Sequence, residues 1–174
     1  NSNKISNEDS SINDFSLNNL RELNRYTGSD KLDNSKRLNY GFNISNDKIR
    51  LDMLSYYEFS NNSNFDNDQN SDDHLSDMIG QVEYKNKIST DYNFRYDHND
   101  NYFKKHNINF KYPGSYGNLT LSYLDQKSKT DETIITDTET LNYNIESAKF
   151  YKYSQIKLKG LYDLKKSINS EYSI

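Results

Sequence analysis

The sequence predicts an all-β protein, an antiparallel up-and-down meander of roughly nine strands. Three observations carry that expectation. Apolar and polar residues alternate with period two through most of residues 35–174, as in strands whose two faces meet different surroundings. The connections between alternating runs switch between short and long, as hairpins with turns at one end and loops at the other require. Tyrosine recurs near the ends of the runs, at Tyr84, Tyr96, Tyr112, Tyr123 and Tyr162, where an interfacial aromatic girdle would sit.

The strands follow in order. The run from Lys36 to Ser45 points Leu38, Tyr40, Phe42 and Ile44 one way and Arg37, Asn39, Gly41 and Asn43 the other. "KIRLDMLSYYEF" places Ile49, Leu51, Met53, Tyr57 and Phe59 on one face, against Arg50, Asp52 and Glu58. "DMIGQVEY" contributes Met78, Gly80, Val82 and Tyr84. "ISTDYNFRY" sets Ile88, Thr90, Tyr92, Phe94 and Tyr96 against Asp91, Asn93 and Arg95. "KKHNINFKY" gives His106, Ile108, Phe110 and Tyr112, and "NLTLSYL" gives Leu119, Leu121 and Tyr123. "ETLNYNI" gives Leu141, Tyr143 and Ile145, "SQIKLKGLYD" gives Ile156, Leu158, Gly160 and Tyr162, and "INSEYSI" starts the ninth. Ser45–Asp47, Lys85–Lys87 and 113–117 read as short connections, 60–76 and 125–138 as long loops, and 97–102 as intermediate. Residues 1–34 do not fit the meander and read as a mostly irregular segment, leaving 35–174 as the strand-bearing part.

Composition narrows the class. Only 32% of the 174 residues are hydrophobic and the mean hydropathy is −1.12, poor material for a soluble core. A net charge of −4 with sixteen tyrosines and eight phenylalanines nevertheless argues against disorder, because aromatic side chains carry large burial energies. Much of the polarity is Asn, which a compositional bias shared with Lys, Ile and Tyr accounts for. The absence of cysteine removes disulfides and thiolate metal sites. No apolar run approaches the length of a transmembrane helix. A pI near 5.4 with scattered lysines disfavours nucleic acid as a partner. The chain opens at Asn1 and closes inside an alternating run, so it is expected to be a piece of a longer protein.

Alternation alone leaves two architectures open. The polar face carries Arg50, Asp52, Asp91, Arg95, Lys105, Lys111, Lys157 and Lys159 in mid-strand. In a soluble sandwich these face bulk water, and in a membrane barrel they face a wet lumen. The tyrosine girdle, the alternating connections and the low hydropathy favour the barrel, with a soluble β-sandwich adhesin or glycan-binding module as the competing reading.

Chemistry-bearing motifs are scarce. "FDNDQNSDDH" (65–74) is carboxylate-rich but lacks the spacing of an EF-hand loop. His74, His98 and His106 fall in different elements without metal-ligand spacing. No Ser/His/Asp order, glycine-rich phosphate loop or nucleophile elbow is present, and no cofactor is implied. A non-enzymatic transport or scaffold role is expected.

A family resemblance rests on particular stretches. "LNRYTGSDKLDNSKRLNYGF" (23–42), preceded by "NEDS" (7–10), resembles the LptD family of lipopolysaccharide-assembly proteins, also called OstA or Imp. The matching positions are Asn24, Arg25, Tyr26, Gly28, Asp30, Lys31, Asn39, Tyr40 and Gly41. "LSDMIGQVEY", "YNFRYDHNDNYFKKHNINFKYPG" and "LTLSYL" are similar to later strands of the family's barrel domain. Ser29 and Lys31 depart from the family pattern, which usually has an aromatic residue and Arg there. The resemblance implies that the nine strands are an arc of a large transmembrane β-barrel in the outer membrane of a Gram-negative bacterium. It implies lipopolysaccharide (LPS) as cargo, an LptE-like lipoprotein plug in the lumen, a periplasmic LPS-transport bridge reached through a missing N-terminal domain, and outer-membrane lipid around the wall. Arg50, Arg95, Lys105, Lys157 and Lys159 are then lumen-facing candidates for contact with LPS or the plug. A general outer-membrane porin shares the fold but not the Asn24–Gly41 stretch.

Overall fold

The computed structural model describes residues 17, 21–22, 36–59, 74–98, 100–130, 133–149, 154–166 and 168–173. Nine strands form a single antiparallel sheet in sequence order: β1 (Arg37–Ser45), β2 (Ile49–Glu58), β3 (Met78–Lys85), β4 (Ser89–Asp97), β5 (Tyr102–Gly114), β6 (Gly117–Thr130), β7 (Thr133–Ser147), β8 (Lys157–Asp163) and β9 (Ile168–Ser173). β1 and β9 are the sheet's two edges. The meander is thus open, the geometry of an arc of barrel wall.

Register gathers the apolar positions of successive strands into rows. Ile44 faces Leu51, Leu51 faces Val82, and Val82 faces Tyr92. The row continues through Ile108, Tyr123, Leu141 and Tyr162. Directly opposed residues of antiparallel strands share a face, so one face carries an apolar band from β1 to β8. Nothing among the described residues covers it: Leu38 is 57% exposed, Phe42 49% and Ile44 62%. A soluble sandwich needs a second sheet against such a face, and the only sheet described is this one.

The two rims differ. At the turn rim, Asn46 closes β1–β2: its side-chain Oδ1 accepts from the backbone N–H of Lys48 at 2.9 Å and of Ile49 at 2.8 Å. Asn86 N donates to Ile88 O at 2.8 Å in the β3–β4 turn, and Ser115 and Tyr116 alone link β5 to β6. The opposite, loop rim carries, among the described residues, 59, 74–77, 98 and 100–101. Expectation and structure part company at 125–138. That stretch is not a long loop; β6 and β7 run on through it, pairing Lys127 with Asp137 and Ser128 with Thr136. Threonine and isoleucine in "TIITDTET" supply the β propensity, so this ribbon extends past its neighbours, since β5 stops pairing β6 at Gln126 and β8 stops pairing β7 at Thr140. Alternation of loop length therefore fails here, and again at β7–β8, whose connection on the turn rim is longer.

Two glycines have contact reasons. A Cβ on Gly41 would lie 2.1 Å from the Met53 backbone oxygen, and one on Gly80 would lie 2.2 Å from the Phe94 ring. Gly80 and Phe94 are cross-strand partners, so the ring lies over the glycine and fills the apolar face that a bare backbone would leave open.

Candidate functional site

The polar face is where a functional surface can be built. It has a small apolar nest of its own: Tyr56, fully buried, and Ile79, 7% exposed, pack with Leu54 and with Leu17 from the N-terminal segment. Beside them Asp52, 1% exposed, accepts from Arg21 Nη2 at 3.0 Å, Asn43 Nδ2 at 2.7 Å and Arg50 Nε at 2.7 Å. Arg37 donates to the Glu22 backbone oxygen. Leu17, Arg21 and Glu22 therefore touch the polar face of β1–β3.

Further along, Asp91 gathers amides. It accepts from Gln81 Nε2 at 2.8 Å, Asn93 Nδ2 at 2.5 Å and Asn109 Nδ2 at 3.3 Å, and Ser122 Oγ donates to Asn109 Oδ1 at 2.6 Å. Gln81, Asp91, Asn109 and Ser122 floor a shallow groove of about 560 Å³ that also takes in Glu83, Lys85 and Lys111. Every Asn of β1 to β8 lies on this face: Asn39, Asn43, Asn93, Asn107, Asn109, Asn118, Asn142 and Asn144. Composition supplies the Asn; hydrocarbon on the other face excludes it, because an amide there would lose its hydrogen bonds to water.

The basic candidates divide. Arg50 pairs with Asp52 at 2.7 Å, Arg95 with Asp77 at 2.5 Å and Lys157 with Glu146 at 3.3 Å. Lys105 lies across from Arg95 and Lys159 across from Asn144, and neither has an ion pair among the described residues. The five are spread over β2, β4, β5 and β8 and form no single cluster. Of the motif positions, Asn39, Tyr40 and Gly41 lie in β1; Asn24, Arg25, Tyr26, Gly28 and Asp30 fall outside the described residues, as does most of 1–34. Sequence reasoning missed Asp77, Asp97, Lys104 and the Asp91 amide hub. An acidic residue just ahead of a strand, and a Lys-Lys pair where alternation allows one polar residue, were the available signals.

The apolar face has an aromatic cluster toward the loop rim. Phe103 lies 4.9 Å from Tyr96 and 4.4 Å from His106, ring centre to ring centre, and Tyr92 Oη sits 2.8 Å from His106 Nδ1. Tyr123 Oη donates to Glu139 at 3.0 Å, with Asp125 opposite Glu139. Charge thus begins directly beyond the tyrosine, as at the edge of an apolar band. In the turn after β8, hydrogen bonding to the Asp137 carboxylate, with Glu139 adding to it, holds the Lys165 ammonium above its usual range. No three His, Cys, Asp or Glu side chains among the described residues are grouped to hold a metal.

An uncovered apolar face, aromatic side chains along it, a wet opposite face and hairpins in sequence order define the wall of an outer-membrane β-barrel. The chain belongs to the LptD family, LPS transport system D, whose family model matches residues 1–168. Comparison with curated proteins finds no match. The family transports and assembles lipopolysaccharide in the outer membrane of Gram-negative bacteria.

Proposed function

We propose that the chain forms a wall segment of a barrel that inserts LPS into the outer leaflet, with the acyl chains leaving sideways into lipid and the glycan passing along the polar face. The observation that carries this reading is the separation of the two faces, one bearing an uncovered apolar band, the other lined with amides and charges. Phosphorylated sugars need donors that are not already neutralised. On that basis Lys105 and Lys159 are the basic residues assigned to LPS phosphate. Arg50, Arg95 and Lys157 are assigned to holding Asp52, Asp77 and Glu146, and so to keeping the wall hydrated and in shape. Amides around Asp91 offer donor and acceptor together, which suits sugar hydroxyls.

The family membership supports LPS and LPS-transport partners in general; we further assign outer-membrane lipid to the apolar face, an LptE-like lipoprotein to the polar face, and a periplasmic transport bridge reached through an N-terminal domain of the parent protein. We place residues 1–34 on the loop-rim side, folded inward, a placement that the Leu17 and Arg21 contacts support. No step in this reading is catalytic.

A photo-crosslinking residue tests it. Placed at Asn109 in the full-length protein in cells, it is expected to capture LPS while export runs and to lose the adduct when LPS synthesis is blocked. Placed at Leu121, on the other face, it is expected to capture envelope lipid under both conditions. Equal capture of LPS at the two positions, or none at Asn109 with the Leu121 adduct intact, contradicts the assigned path.

A further inference from the structure

Four hairpins close at the loop rim, and each gains one residue of register there. Between β4 and β5 the pairing passes from Arg95↔Lys105 to Tyr96↔Phe103, leaving Lys104 extra. Between β6 and β7 it passes from Ser128↔Thr136 to Lys129↔Ile134, and between β8 and β9 from Leu161↔Glu171 to Tyr162↔Asn169. Between β2 and β3, Leu54 pairs with Ile79 but Tyr57 pairs with Leu75, so the extra residue lies within 76–78. In every case the surplus is on the returning strand. The four hairpins that close at the turn rim pair without a shift.

A bulge bends its strand, raises the local twist and re-aims a side chain. Repeating it on the same strand of each hairpin at one rim gives every hairpin the same bend. Two neighbouring bulges also aim at each other. Lys104 Nζ reaches back to Asp77 at 3.0 Å (Oδ2) and 3.2 Å (Oδ1), and to Asp97 Oδ2 at 2.7 Å. Arg95 Nε holds Asp77 Oδ2 at 2.5 Å. The quartet is neutral, and its acids are nearly sealed from solvent: Asp77 is 3% exposed and Asp97 5%.

We propose that these bulges form a latched rim: Lys104, set by the β4–β5 bulge, locks onto Asp77, set by the β2–β3 bulge, and this lock fixes the two hairpins side by side and sets the aperture of the loop-rim mouth. The aperture part rests on the pore-wall reading above; the lock itself does not. Two neutralised pairs excluded from water hold a geometry more firmly than exposed ones, because removing one partner strands the other's charge. The lock joins elements that are not sheet neighbours at this height, since β4 runs between β3 and β5.

The test uses the full-length protein reconstituted in lipid, with spin labels on cysteines at Phe59 and Asp100, both exposed and outside the quartet. The native quartet is expected to give one narrow distance distribution. Lys104→Gln is expected to broaden it, and Lys104→Arg, which keeps a cation between Asp77 and Asp97, to leave it narrow. A distribution that Lys104→Gln leaves unchanged, or that Lys104→Arg broadens as much as Lys104→Gln does, overturns the lock. Channel conductance of the same samples is expected to rise with Lys104→Gln and to stay at the native level with Lys104→Arg. A broadened distribution with unaltered conductance overturns the aperture claim alone. Absence of any conductance in the native protein and every variant contradicts the pore-wall reading, while the distances still decide the lock.

Discussion

Replacing Leu121 by Arg is expected to cost about 2–4 kcal/mol of folding free energy in lipid vesicles, whereas Asn43→Arg costs far less. Leu121 lies between Phe110 and Tyr143, in the middle of the apolar face. A guanidinium there leaves water for hydrocarbon with no carboxylate within its own row. Asn43 occupies the opposite face and already donates to Asp52 at 2.7 Å. An Arg at that position keeps water and inherits an acidic partner. Denaturant titration of both variants reads the difference directly. Equal losses would mean that the two faces meet the same solvent, and the assigned parity would be wrong.

Gly41→Ala is expected to cost about 3 kcal/mol, at the upper end of ordinary overpacking. The added methyl would sit 2.1 Å from the Met53 carbonyl oxygen and 3.0 Å from Leu54 Cα. Both atoms belong to the β2 backbone, so no rotamer change relieves the clash and the β1–β2 pairing itself must shift. Tyr40→Leu, one residue earlier on the apolar face, provides the control and should cost under about 1.5 kcal/mol. If the two substitutions cost the same, close backbone approach is not what Gly41 is for. With the expected difference, Asn39, Tyr40 and Gly41 meet three separate needs: an amide on the wet face, an aromatic on the lipid face, and a gap for the neighbouring strand.

All nine strands were legible in the sequence, since each carries apolar residues at alternate positions over part of its length. What escaped was written in residues with no apolar partner. The β6–β7 extension beyond Asp125 is Gln, Lys, Ser, Thr, Asp and Glu apart from the adjacent pair Ile134 and Ile135, so it carries no hydrophobic period and read as loop. The bulges escaped because one inserted residue resembles a noisy boundary. Phe103 and His106 both belong to the apolar face yet stand three apart, a slip of phase that marks the bulge once it is known. Arg50–Asp52 could be read from spacing on one strand. Arg95–Asp77 could not, because Asp77 arrives from the segment before β3 and its position depends on that bulge. Asn richness was discounted as compositional; its confinement to one face of β1 to β8 is a property of the fold.

The account's central claim is tested most directly by depleting the full-length protein in its own cells while following surface LPS and small-solute uptake together. A barrel that inserts LPS predicts that newly made LPS stops reaching the cell surface while uptake of small hydrophilic solutes is not lost. Loss of solute uptake with surface LPS maintained would contradict it and leave a general porin in its place.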